Sequence, residues 1–267
     1  MNGQIVPVIS LIGTIPPMHV TAIHTPLFQP GEDLHQFLAQ NIAQLPEKSF
    51  VVITSKIISF AQNRLVPVDG SDRDLKHDLV RREADLYLEP TQSKYDLMLT
   101  IKNSILAVNA GIDQSNADNH YVLWPEKLQV TTNNIWQFLR QQFKVRELGV
   151  IVTDSKTVPL KWGVTGTAIA SCGFEVLINK IGQPDLFGKR LEMTQVNVAE
   201  AVGIAAALEM GESDERRPLA VVTDVNQPVV WQDRPPTEIE LRALLIEPAD
   251  DVYAPVLMNG QWKKGGK

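Results

Sequence analysis

Three carboxylates stand where ligand sites are commonly built: Asp113 and Asp154 each close behind an apolar run, and Glu212 just past a long helical stretch. Acids with no histidine or cysteine beside them make a hard oxygen set, which suits Mg²⁺ or Mn²⁺ holding polyphosphate oxygens and does not suit zinc. Ser155 adds a hydroxyl to that set. Each acid taken alone also fits the commoner role of a turn or capping residue. Ser55 and Lys56 follow another apolar run and carry the same ambiguity, since lysine there is either a solvated end or a phosphate ligand. Other chemistries lack their signatures. There is no glycine-rich phosphate loop ending in Gly-Lys-Ser/Thr and no Gly-x-Gly-x-x-Gly after a strand, and His19, His24, His35, His77 and His120 lack the His-Glu-x-x-His spacing. Cys172 is the only cysteine, so a disulfide and a thiolate zinc site are excluded, and its small neighbours Ser171 and Gly173 favour a packing role.

The elements that must position these groups alternate apolar runs with turn residues. Residues 6–15, 20–23, 50–53, 97–101, 105–108, 149–152, 174–178 and 219–222 read as strands. Residues 164–170 are rich in Gly, Thr and Ala. A first helix is expected with Glu32 and Asp33 in its first turn, Leu34, Phe37, Leu38, Ile42 and Leu45 on one face, and Pro46 as its stop. Residues 72–88 form a charged helix whose Asp74, Lys76, Asp78, Arg81, Arg82, Glu83 and Asp85 read as a solvated face. Residues 130–143 give another helix. Residues 194–210 give the clearest one, with Thr194 as its cap and Gly211 at its end.

This order predicts an α+β fold of mixed sheets with packed helices. A main domain covers residues 1–222, with room for two lobes, and residues 223–267 form a peripheral extension ending in a frayed tail. The chain has 25 basic and 31 acidic side chains and a net charge of −6, with no long cationic cluster, which argues against nucleic acid as a partner. No run approaches the ~18 consecutive apolar residues of a membrane span. No basic stretch precedes an apolar N-terminal one, so a cytoplasmic protein is expected.

Six ordered segments resemble the signatures of the coenzyme F-420-0:γ-glutamyl ligases. They are Pro30-Gly31-Glu32-Asp33-Leu34, Thr54-Ser55-Lys56-Ile57-Ile58-Ser59, Asn109-Ala110-Gly111-Ile112-Asp113-Gln114-Ser115-Asn116, Thr153-Asp154-Ser155, Asp185-Leu186-Phe187-Gly188-Lys189-Arg190-Leu191 and Met210-Gly211-Glu212. The resemblance implies an intertwined homodimer that joins L-glutamate to a carboxylate-bearing cofactor precursor, with GTP as cosubstrate (ATP the alternative) and two divalent ions, Mg²⁺ or Mn²⁺. It implies that Asp113, Asp154 and Glu212 are catalytic. Asp113 and Asp154 would ligate one metal, Ser155 and Glu212 the second. Thr25, Pro26, Leu27, Phe28, Ser55, Lys56, Asn116, Met210, Gly211 and Ser213 would contact the nucleotide.

The chain departs from the family pattern after Asp154. Where these ligases carry Gly-Arg and a further Arg, it has Thr157, Val158 and Lys161. Phe60 and Asn63 replace the usual Lys and Gly after the Ser55-Lys56 pair. The lost arginines point toward a folate as the acceptor, the kept core toward a deazaflavin precursor. A regulatory nucleotide-binding protein without catalysis is the reading from another class, and the retained acids argue against it. A metal-dependent phosphatase leaves the 109–116 segment unexplained.

Overall fold

Phe50, Val51, Val52 and Ile53 are fully buried, and their alternate side chains enter two different cores. Val51 and Ile53 face Leu38, Ile58, Ile135 and Leu139, whereas Phe50 and Val52 face Val198, Val202 and Ala206. A strand covered on both faces has no solvent side and reads as an unbroken apolar run. The computed structural model describes residues 16–70 and 72–266, so the strand expected over residues 6–15 lies outside it.

In chain order the elements are β1 (His19–Ile23), α1 (Leu34–Asn41), β2 (Ser49–Thr54), α2 (Ser55–Ala61), β3 (Leu65–Pro67), α3 (Arg73–Glu83) and β4 (Leu86–Tyr87). There follow β5 (Leu99–Lys102), β6 (Ile105–Val108), β7 (His120–Val122), α4 (Leu128–Phe143), β8 (Leu148–Thr157) and β9 (Val164–Cys172). The chain then runs through β10 (Leu177–Asn179), β11 (Gln195–Asn197), α5 (Val198–Met210), β12 (Leu219–Thr223), α6 (Glu238–Arg242), α7 (Ala254–Leu257) and β13 (Lys263–Lys264). The main sheet has the order β1-β12-β2-β8-β9, parallel only between β2 and β8. Helices α1, α2 and α4 cover one face and α5 the other, which bears out the mixed α+β expectation. A second sheet, β13-β4-β5-β6, joins α3 around Leu79, Val80, Met98 and Ala110. Among the described residues no helix is long and apolar enough to cross a membrane.

Several boundaries differ from expectation for local reasons. Asp33 caps α1 through Gln36 N (2.9 Å) instead of entering its first turn, and α1 ends at Asn41, ahead of Pro46. Residues 195–197 pair with β10, so Asn197 caps α5 through Glu200 N (3.0 Å) and Thr194 does not. Helix α3 stops at Glu83, after which the chain turns extended. The tail is not frayed: β13 pairs with β4, and the amides of Gly265 and Gly266 reach the carbonyls of Asp85 and Arg81, both at 3.0 Å.

The charged helix α3 is also less solvated than its composition suggests. Glu83 lies under it between Lys102 (2.6 Å) and Arg64 (2.7 Å), with 19% of its side chain exposed. Burial alone pushes this carboxyl up, but the two cations outweigh burial and hold it below its ordinary 4.5. A depressed carboxylate stabilises the fold above its unfolded value and loses that contribution as pH falls through the folded one. Glu83→Gln should therefore cost roughly 2–3 kcal/mol at pH 7, since it leaves the buried Lys102 unpaired and takes from Arg64 one of its two carboxylates, Glu126 remaining at 2.8 Å. Urea unfolding should show the gap to wild type narrowing below about pH 4; a gap independent of pH would contradict the ion-pair account.

Candidate active site

The segment that bears Asp113 is folded by its own backbone. Asn109, Ala110 and Gly111 all have positive φ (53°, 52° and 73°), a run that swings the chain out of β6. Buried hydrogen bonds hold it: Met98 N donates to Asn109 Oδ1 and Ala110 N to Thr100 Oγ1, both at 2.9 Å. Asp113 is then pinned by a two-way backbone bridge to Val122. Its carboxylate accepts from Lys56 Nζ (2.7 Å), Ser115 Oγ (2.5 Å) and the amides of Gln114 (2.7 Å) and Ser115 (3.1 Å). Burial pushes Asp113 up, yet Lys56 and Ser115 bring it down to about 2, so it stays ionised.

Asp154 does not sit beyond a strand as expected, because β8 continues through it to Thr157. Residues 153–157 pair with 164–168 of β9, and the register shifts by one residue at Val152/Thr153. Such a bulge re-aims the side chains that follow it. Asp154 accepts from the indole Nε1 of Trp124 and is pushed up to about 6 by burial, with Asp113 adding to the rise. Two neighbouring carboxylates thus have widely separated proton affinities. Ser155 Oγ donates to Glu212 Oε2 at 2.5 Å, and Glu212 follows Gly211, whose φ of 86° ends α5.

All four lie on the wall of one cavity of about 830 Å³. The wall also takes Thr25, Pro26, Leu27, Phe28, Lys56, Asn116, Met210, Gly211 and Ser213, the residues expected at a nucleotide. Asn116 Nδ2 reaches the carbonyl of Ser213 at 2.7 Å, joining the 109–116 loop to the segment after α5. Ser55 is the exception. It opens α2, is only 4% exposed and does not reach the wall, where Thr54 lies instead. Cys172 is buried, and its thiol is pushed up to about 12 by burial, as suits a packing residue.

Sequence reasoning missed Trp124, Lys76, Arg216, Arg217 and a buttress behind the site. Glu200 on α5 accepts from Lys156 Nζ (2.7 Å), Thr167 Oγ1 (2.9 Å) and the amide of Ala168 (2.8 Å), which sits at the bulge. The one available signal was Lys156 two residues after Asp154. Glu200→Gln should lower turnover about tenfold by loosening the bulge that aims Asp154. Initial rates measure this, and an unchanged rate would show that the hairpin holds its geometry without Glu200.

Among the described residues no three His, Cys, Asp or Glu side chains come together as a ready metal group. Asp113 is instead balanced by the Lys56 ammonium. The donor chemistry nevertheless fits a divalent cation: the oxygens are hard, and the burial that raises Asp154, with Asp113 adding to it, is a cost that a metal's charge would offset. Among the described residues no histidine or cysteine lines the wall. Fold and site together give a mixed α+β protein with one acid-lined cavity beside its main sheet.

A family model described as F420-0:Gamma-glutamyl ligase matches residues 22–224, and the chain belongs to this family of amide-forming ligases. It is 29% identical to the coenzyme F420:L-glutamate ligase of Methanopyrus kandleri over 242 residues, 84% of this chain and 92% of that one. The enzyme of the same name from Methanosarcina barkeri is 29% identical over 74% of this chain and 81% of its own. That of Methanocaldococcus jannaschii is 25% identical over 79% and 89%.

Proposed function

We propose that this protein is a GTP- and metal-dependent γ-glutamyl ligase of the coenzyme F-420-0 type, joining L-glutamate to an acceptor carboxylate through an acyl phosphate. The observation that carries the proposal is the convergence of Asp113, Asp154, Ser155, Glu212 and Asn116 on one cavity wall. Its volume of about 830 Å³ accommodates a nucleotide beside a second substrate. Phe28, Ile57, Phe60 and Val108 give the wall apolar surface for a planar ring.

The chemistry follows from charge placement. An acceptor carboxylate oxygen attacks the γ-phosphorus, the bond to the β-phosphate breaks, and GDP leaves. The glutamate amine then attacks the acyl carbon, the carbon–oxygen bond to phosphate breaks, and amide and inorganic phosphate result. Asp113 and Asp154, with Ser155 and Glu212 beside them, would hold two divalent ions, which when bound neutralise the charge on the transferring phosphoryl oxygens. Lys56 can turn from Asp113 to a phosphate oxygen as the site fills. The proton that the attacking amine gives up passes to the departing phosphate.

A folate is the second acceptor reading, favoured because residues 156–163 of the β8–β9 hairpin hold no arginine. We also propose a homodimer. Leu160, Trp162, Leu186 and Phe187 are almost wholly exposed, apolar surface of the kind a subunit contact covers. Incubating the protein with GTP or ATP, Mg²⁺ or Mn²⁺, L-glutamate and each acceptor should give a glutamyl-extended product by mass spectrometry. No product with either acceptor, together with no nucleotide binding, would reject the ligase proposal.

A further inference from the structure

Two cations of the cavity wall, Lys76 and Arg217, make neither an ion pair nor a side-chain hydrogen bond among the described residues; Arg216, which also has no ion pair, meets the His24 ring at 3.3 Å. Lys76 extends from α3, and its ammonium makes no hydrogen bond or ion pair there; it lies 5.6 Å from the centre of the Tyr121 ring. Its side chain is half-buried, and burial lowers its proton affinity from the ordinary 10.5 although Asp113 works the other way. Arg217, on the segment leading into β12, is likewise half-buried and lines the same cavity. Its Nε is buried without a hydrogen-bond partner, and its guanidinium forms no ion pair among the described residues. The other lysines of this wall are occupied, Lys56 by Asp113 and Ser115 and Lys156 by Glu200 and Thr167.

A partly dehydrated cation without a partner costs free energy, and a ligand anion relieves it. The cavity therefore has two kinds of pole. One is the oxygen set of Asp113, Asp154, Ser155 and Glu212; the other is this pair of unanswered positive charges. We propose that Lys76 and Arg217 bind the two carboxylates of the free amino-acid substrate, L-glutamate, an inference that rests on the ligase reading. The two cations come from different elements, so they suit a ligand with two separate anionic ends better than a compact polyphosphate. A guanidinium fork matches one carboxylate in two-point fashion, and an ammonium takes the other as a point charge. The assignment also supplies an arginine, which the hairpin after Asp154 lacks.

Calorimetric titration of the full chain with L-glutamate, with and without GDP and Mg²⁺, tests this. Lys76→Met and Arg217→Met should each weaken L-glutamate binding about tenfold or more, while Mg²⁺–GTP affinity stays within about twofold. L-Glutamine, which lacks one of the charges, should bind wild type about tenfold more weakly than L-glutamate. Lys76→Arg and Arg217→Lys should restore part of the loss, and thermal melting of all four variants should match or exceed wild type. Unchanged L-glutamate affinity in both Met variants, an equal loss for Mg²⁺–GTP, or no L-glutamate binding by wild type in either state overturns the assignment. Weakened binding in the variants of a protein that extends no acceptor would reject the ligase reading and keep this site. Normal ligation with an unaltered KM for L-glutamate in both variants would do the reverse.

Discussion

Asp154→Asn should abolish ligase turnover and, in the metal-free protein at pH 7, raise the melting temperature. The two effects have one cause. Burial lifts the Asp154 carboxyl to about 6 from an ordinary 3.8, so the folded chain prefers it neutral. A carboxylate shifted this way destabilises the fold above its raised value, and that cost fades as pH falls from about 6 toward the ordinary 3.8. At about 1.4 kcal/mol per unit the shift corresponds to roughly 2–3 kcal/mol, or several degrees for a chain of this size. Asparagine removes the charge and keeps an oxygen to accept from Trp124 Nε1. Turnover should fall on the order of 1000-fold, because a neutral amide is a poor ligand for a divalent ion. Scanning fluorimetry and the glutamyl-transfer assay read the two effects together. Turnover near wild type would remove Asp154 from the chemistry, and an unchanged melting point would deny that its charge is unfavourable. Wild-type activity should also decline below about pH 6, where a proton competes for this oxygen.

Gly111→Ala should be almost as damaging without touching a functional group. The position has φ of 73°, and a Cβ there would fall 1.9 Å from the Trp124 Nε1, inside the indole ring. Trp124 is 3% exposed and has no room to retreat. The positive φ adds about 1 kcal/mol and overpacking a further 1–3 kcal/mol. Displacing the indole also strips Asp154 of a hydrogen-bond donor. We expect a loss of roughly 3 kcal/mol in chemical unfolding and of about 100-fold in turnover. Gly163→Ala, at a φ of 98° with nothing within 4 Å, is the matched control for backbone strain alone. Equal stability losses in the two variants would show that the Trp124 contact is not the cause.

These two residues also mark the limits of what the sequence discloses. The apolar run at 50–53 and the ordered motifs declare the strand and the family because both are local patterns. Asp113, Asp154, Ser155 and Glu212 could be nominated, and the fold brings them to one wall. Trp124 could not be, since its role depends on the left-handed run at 109–111 packing against its ring. Lys76 was hidden for another reason. On a helix so rich in charge, composition cannot say which lysine faces water and which faces a cavity. Ser55 stayed off the wall because of a boundary: α2 begins with it directly after β2, and that first helical position is buried. Even the tail follows this rule, because the partner of β13 lies far away in the chain, at β4.

The order of the main sheet has a consequence for synthesis. Strand β2 is flanked by β8 on one side and β12 on the other, and among the described residues β1 pairs only with β12. As the chain leaves the ribosome, β1 and β2 appear early and wait for Leu219–Thr223, which emerges after most of the protein. Until then β2 presents an open edge of Phe50, Val51, Val52 and Ile53, the kind of segment that associates with its like. The nascent protein thus passes through a long interval in which its most apolar strand needs shelter, and its yield will depend on how fast translation and chaperones bring β12 home.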